Sequence, residues 1–188
     1  MMHNRKHNMC SVINLYQNMY SKYFNDDNKY VYGFIDIYLI VYKKVFFTKT
    51  DEDKSVYNVQ HAMYNANKLK VSLIVEKLNP HVKYTSICCS HFGEILTLRI
   101  GHTIKPRHLL QYYKSCIVAH YNALLYNHPN YTGQYITWYD CGRISSKGSY
   151  SNGQMVGDWK FWYYKKSCSS ENTMSFTANY DSNNVNLL

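Results

Sequence analysis

Two segments of this chain nearly coincide: Gly133–Tyr139 reads GQYITWY and Gly157–Tyr163 reads GDWKFWY, at an offset of 24 residues. The same offset relates Tyr135 to Trp159, Trp138 to Trp162 and Tyr139 to Tyr163. Self-similarity at a fixed period of this size marks a repeat array, whose units are supersecondary elements too small to bury an apolar face alone. Such a chain has to stack its units, and the stack becomes the fold.

Alternation defines the unit. From Gly142 to Tyr150, Ile144, Ser146, Gly148 and Tyr150 share one side, while Arg143, Ser145, Lys147 and Ser149 share the other, as in a half-exposed strand. Asn152-Gly153 then supplies the strongest short hairpin signal, because the mirror-image turn needs two residues at positive φ. The returning strand places Trp159, Phe161 and Tyr163 on one side and Lys160, Trp162 and Tyr164 on the other. Each unit is a hairpin, and Gly142 to Gly157 spans 15 residues.

The same register can be laid upstream. From Gly93 it sets Ile95, Thr97 and Arg99 in a strand, with His108 at the glycine position and Leu110 and Tyr113 at the aromatic ones. From Asn67 it sets Leu69, Val71, Leu73 and Val75 in a strand, a turn at Asn79-Pro80, then Tyr84 and Ile87. A unit opening at Cys116 needs a two-residue insertion, and a further unit fits within 33–64. Gly33–Tyr42 reads as one buried strand. A competing pattern runs through 106–126, where Leu109, Tyr113, Ile117, His120 and Leu124 recur three or four apart, as on a helix.

The expected fold is therefore all-β, a meander of antiparallel hairpins of about 24 residues. The alternative is α+β with a helix at about 106–126. Residues 1–28 and 167–188 are polar and read as tails. Between them lies a repeat domain, 29–166, with clear copies over 131–166 and degenerate ones upstream.

Tyrosine dominates the aromatic content, 21 residues, and suits strands with one wet and one buried side. The net charge of +9 suits an anionic partner: acidic protein, anionic lipid or nucleic acid. The start lacks an apolar run of signal-peptide length, and the longest apolar stretch is too short to span a bilayer. An intracellular protein is expected, with no signal peptide and no transmembrane segment. Its six cysteines follow no disulfide framework and are read as reduced thiols.

Trp138, Tyr139, Gly142, Tyr150, Asn152, Gly153, Gly157, Trp159, Trp162 and Tyr163, with Gly133 opening the preceding strand, resemble the MORN-repeat family. The form is the variant W-Y-x-x-G, strand, Y-x-N-G, then G-x-W-x-x-W-Y. Such variants occur in putative bacterial antitoxin components and in proteins of giant viruses of amoebae. The resemblance implies an elongated hairpin array acting as a scaffold, with membrane-lipid contact claimed for some members. It brings no catalytic residues.

Other chemistry is thinly marked. Cys88, Cys89 and His91, with His81 and His102, lack zinc-ligand spacing. No nucleophile elbow, phosphate-binding loop or H-E-x-x-H segment is present. The three tryptophans are expected in the core of the array rather than in a recognition strip. Arg143, Lys147 and Lys160 are expected on exposed strand faces, where lysine discourages edge pairing. The functional expectation is a non-enzymatic scaffold for an unidentified protein partner, without cofactor or metal. The alternatives are a basic surface for anionic lipid or nucleic acid, and an antitoxin-like inhibitor of a partner protein.

Overall fold

A computed structural model of the chain describes residues 9–24, 29–163, 175–181 and 184–187. It is built mainly of antiparallel β-hairpins, gathered into sheets of six, five and two strands. The five-stranded sheet is the array that the repeat announces. It comprises β9 (Gly133–Trp138), β10 (Ile144–Ser151), β11 (Gln154–Trp162), β12 (Ser175–Asp181) and β13 (Asn184–Leu187), each beside its neighbour in sequence.

Turn chemistry fixes its register. Asn152 and Gly153 sit at φ +48° and +78°, so Ser151 pairs with Gln154 and Tyr150 with Met155, the two-residue turn that Asn-Gly favours. The array extends past 166, into the segment expected as a tail: Tyr180 pairs with Val185 and Asp181 with Asn184, repeating the pairings of Tyr150 and Ser151. The polar composition of 175–187 concealed strands whose ladder lies against an already paired partner. Residues 164–174 lie outside the described residues.

The six-stranded sheet combines β1 (Tyr30–Ile35), β2 (Tyr38–Lys43), β3 (Met63–Ala66), β4 (Leu69–Glu76), β7 (Thr103–Ile104) and β8 (Leu110–Tyr113) in the order β3-β8-β1-β2-β4-β7. The hairpins are antiparallel, but their order here is not sequential, so the upstream segments do not continue the meander. Gly33–Tyr42 is a hairpin rather than one strand, folded at Asp36, which takes φ +53°. A short aspartate tolerates that conformation, and its polarity is the break in the apolar run. The separate hairpin β5 (Ser86–His91) and β6 (Glu94–Arg99) turns at Phe92-Gly93.

The two readings of 106–126 divide the segment. Leu110–Tyr113 is a strand paired with β3, and α2 (Cys116–Tyr121) and α3 (Leu124–Asn127) follow it. The N-terminal segment expected as a tail carries α1 (Met9–Phe24). Tyr16, Met19, Tyr20, Tyr23 and Phe24 are spaced three and four apart, so they form one stripe, and Tyr16, Tyr20 and Phe24 are buried. This stripe and α2 cover one side of the six-stranded sheet at Tyr32, Leu39, Val41, Leu73 and Val75. The other side closes over Ile40, Tyr42, Tyr64, Val71 and Ile74, joined by Ile87 and Leu98 of the two-stranded hairpin.

Candidate binding face of the hairpin array

The array has one closed side. Tyr135, Gly148, Trp159 and Ala178 form a row across four strands, since Tyr135 pairs with Gly148 and Trp159 with Ala178. Trp159 is 1% exposed and lies over Gly148, where a Cβ would fall 2.1 Å from the indole. Only glycine leaves room for that ring. Tyr150 meets Trp159 edge-on at 5.1 Å and Tyr135 at 5.4 Å, while Tyr121 and Leu124 from α2 and α3 complete the cluster. Burial pushes the Tyr121 and Tyr135 hydroxyls up to about 12, so both rings are neutral packing groups.

The opposite side carries charge. A continuous two-residue hairpin from Asn152-Gly153 would set Lys147 against Asp158, a favourable pair. Instead the ladder shifts at Gly157, whose φ is +64°, and Lys147 pairs with Lys160. Asp158 is drawn to the next strand, where its carboxylate accepts a 2.6 Å hydrogen bond from the Asn179 amide. Both lysines are exposed, and like charges directly opposite each other destabilise a sheet. Beside them, Trp162 is half-buried with the Lys160 ammonium 5.4 Å from its ring centroid. Ile144, Lys147, Lys160, Trp162, Gln134 and Asp158 line an open groove on this side.

The residues singled out by the repeat are thus distributed among different tasks. Gly133 pairs with Tyr150 at one end of β9, and Gly153 receives the turn, its N–H donating to the Tyr131 carbonyl at 3.0 Å. Trp138 is half-buried near His61, at 5.5 Å. Tyr139 donates through its hydroxyl to the Trp162 carbonyl at 2.5 Å. Gly142 closes the turn after β9, its N–H donating to the Tyr139 carbonyl at 2.8 Å. Tyr163 is exposed. Of the tryptophans, Trp159 is the one fully enclosed, and Trp162 belongs to the open side.

One expectation about the basic residues is corrected. Arg143 is buried, not exposed: it precedes β10, and its guanidinium packs 4.3 Å from the Tyr57 ring centroid. Lys147 and Lys160 are exposed as alternation implies, but their direct opposition was illegible because it depends on the bulge at Gly157. That glycine, placed inside a strand rather than at its end, was the available signal. A second cavity, about 190 Å³, lies between β9 and α2, lined by Met63, Tyr113, Asn122, Tyr135 and Trp138. Among the described residues no three His, Cys, Asp or Glu side chains converge as a metal site, and no helix is long and apolar enough to cross a membrane.

With this geometry established, comparison with known proteins adds no relative: no family model, curated protein or solved structure matches the chain.

Proposed function

We propose that the protein is a non-enzymatic interaction scaffold, MORN-like in its array, that holds an acidic segment of a partner protein against Lys147, Lys160 and Trp162. The observation that carries this reading is the opposed lysine pair. A bulge that exchanges a favourable Lys147–Asp158 alignment for Lys147–Lys160 works against folding, and an incoming carboxylate relieves it. Trp162 and Ile144 supply apolar contact beside the charge. Tryptophan is among the residues enriched in binding hot spots, and the lysines add charge complementarity to an acidic segment.

The test uses a fluorescent peptide of alternating glutamate and leucine, followed by anisotropy. The native chain should bind it, with affinity falling as salt is added. Lys147→Glu/Lys160→Glu should weaken binding on the order of a hundredfold while the fold melts no earlier. Unchanged binding in that variant, or stronger binding of duplex DNA or RNA through the same lysines, would overturn the reading.

A further inference from the structure

A second basic surface stands at one end of the six-stranded sheet, and it has an apolar tip. Between β2 and the Thr50–Ala66 bridge the chain makes a tight turn, Val45 to Thr48, closed by the Thr48 N–H donating to the Val45 carbonyl at 3.0 Å and by the Thr48 hydroxyl on the same residue. The turn presents two adjacent phenylalanines to solvent, Phe46 at 82% exposure and Phe47 at 76%. Phe47 takes φ +59°, a conformation in which glycine or asparagine is the low-strain choice. The chain therefore holds an outward phenylalanine where folding alone favours a residue without a large side chain.

Lysines gather at the same end of the sheet. Lys43 is the Cα partner of Lys70, and Lys70 that of Thr103, so strands β2, β4 and β7 end side by side. Lys68 and Lys105 lie one step beyond along the same ends, and Lys49 is tied in through its N–H, which donates to the Asn67 side chain at 2.8 Å. Here too a register shift creates the opposition: the ladder from Val41–Leu73 would have set Lys43 against Val71. Of the carboxylates in the following segment, Glu52 is engaged by Lys44 and Lys114 and Asp51 by Lys54, while Asp53 is exposed, so lysine outweighs carboxylate at this end.

We propose that this end of the sheet is a membrane-attachment surface, in which Phe46 and Phe47 enter the interfacial region of an anionic bilayer and the lysine collar meets its headgroups. The two sources of attraction are those that peripheral membrane proteins combine, apolar insertion and charge attraction to anionic lipid. A nucleic acid fits less well. The two rings touch each other, centroids 4.0 Å apart and tilted by 52°, so they form one wedge with no slot between them for a base. The surface belongs to the six-stranded sheet, so its failure or success is separable from that of the array face.

The test is flotation of the full chain with vesicles of phosphatidylcholine alone and of phosphatidylcholine mixed with phosphatidylserine. The native chain should float with the mixed vesicles and not with the neutral ones. Phe46→Ala/Phe47→Gly should reduce association about a hundredfold, roughly tenfold for each ring withdrawn from the interface, without an earlier melt, since glycine relieves the backbone at 47. Lys43→Glu/Lys70→Glu should abolish the preference for phosphatidylserine, whereas Lys147→Glu/Lys160→Glu should leave it intact. No flotation of the native chain, or equal flotation of the double phenylalanine variant, overturns the proposal. Binding of single-stranded RNA that depends on Phe46 and Phe47, without vesicle binding, overturns it in favour of base stacking.

Discussion

The array and the six-stranded sheet use the same local devices and differ in how their strands find partners. In both, an aromatic ring occupies the space over a glycine: Trp159 over Gly148, and Tyr42 over Gly33, where a Cβ would lie 2.5 Å from the tyrosine ring. In both, a register shift brings two lysines face to face. But every array strand pairs with its neighbour in sequence, whereas Tyr32 of β1 pairs with Tyr113 of β8, across nearly half the chain. A fixed period can be written only where pairing is sequential. Where pairing is long-range, closing the loops between partners costs entropy before contacts form, and side-chain burial rather than spacing must select the partner.

The largest expected effect tests the shared device. Trp159→Ala and Tyr42→Ala should each lower stability by about 3–5 kcal/mol in denaturant melts. A loss under about 1 kcal/mol in either would show that one sheet does not depend on its ring over glycine, and the likeness between them would fail.

Next come the turns. Gly153→Val should cost about 2–4 kcal/mol, because positive φ is strained for valine and its Cβ would fall 1.7 Å from the Pro129 carbonyl oxygen. Gly93→Val has the same backbone strain but open space around it, and should cost only about 1–2 kcal/mol. Equal losses would mean that the array turn is not packed against 129–131.

A pH series sharpens how the regions join. Lys77 follows β4, is 1% exposed, and donates from Nζ to the Asn122 carbonyl at the end of α2, while its own carbonyl accepts from the Tyr16 hydroxyl. Burial holds its pKa down to about 7, against the opposing pull of Asp36, while the unfolded chain titrates near 10.5. Between those values the unfolded state binds more protons, so stability rises with pH. Burial places His61 and His128 below their ordinary 6.5, and the Cys89 and Cys116 thiols above their ordinary 9.0. The two histidines act in the same direction as Lys77, mostly below neutrality, and the thiols begin to oppose the trend from about pH 8 upward. Melts between about pH 7 and 8 should therefore climb in the native chain and flatten in Lys77→Met. An unchanged slope in that variant would remove Lys77 from the account.

The smallest expected effect returns to the paired lysines. Lys147→Glu in the array and Lys70→Glu in the six-stranded sheet should each stabilise by about 0.2–1 kcal/mol, by turning repulsion into attraction. Destabilisation by either would mean that the opposed charges are already compensated.

The array was legible because its information is local. Asn152-Gly153 determines the turn, alternation determines which side Trp159 and Lys160 take, and the 24-residue offset relates the strands. The reading of Trp162 as core failed because alternation puts it on the side opposite Trp159, and only coordinates show which side is covered. Helix α1 was missed although Tyr16, Met19, Tyr20, Tyr23 and Phe24 carry the helical period, since polar residues between them mask it in a composition reading. Strands β12 and β13 were missed because polar strands pair through backbone groups, which composition does not report. The exposed Phe46-Phe47 pair was visible as letters, but only folding distinguishes a tip from a core contribution.

The central claim is that the two sides of the array differ in task, Trp159 holding the fold and Trp162 holding a partner. The most direct measurement is Trp162→Ala, melted and titrated with the glutamate–leucine peptide alongside Trp159→Ala. Trp162→Ala should lose about 1 kcal/mol of stability, the scale of a half-buried ring and its cation contact, and about tenfold or more in peptide affinity. A loss of stability matching that of Trp159→Ala, with peptide affinity retained, would contradict the account.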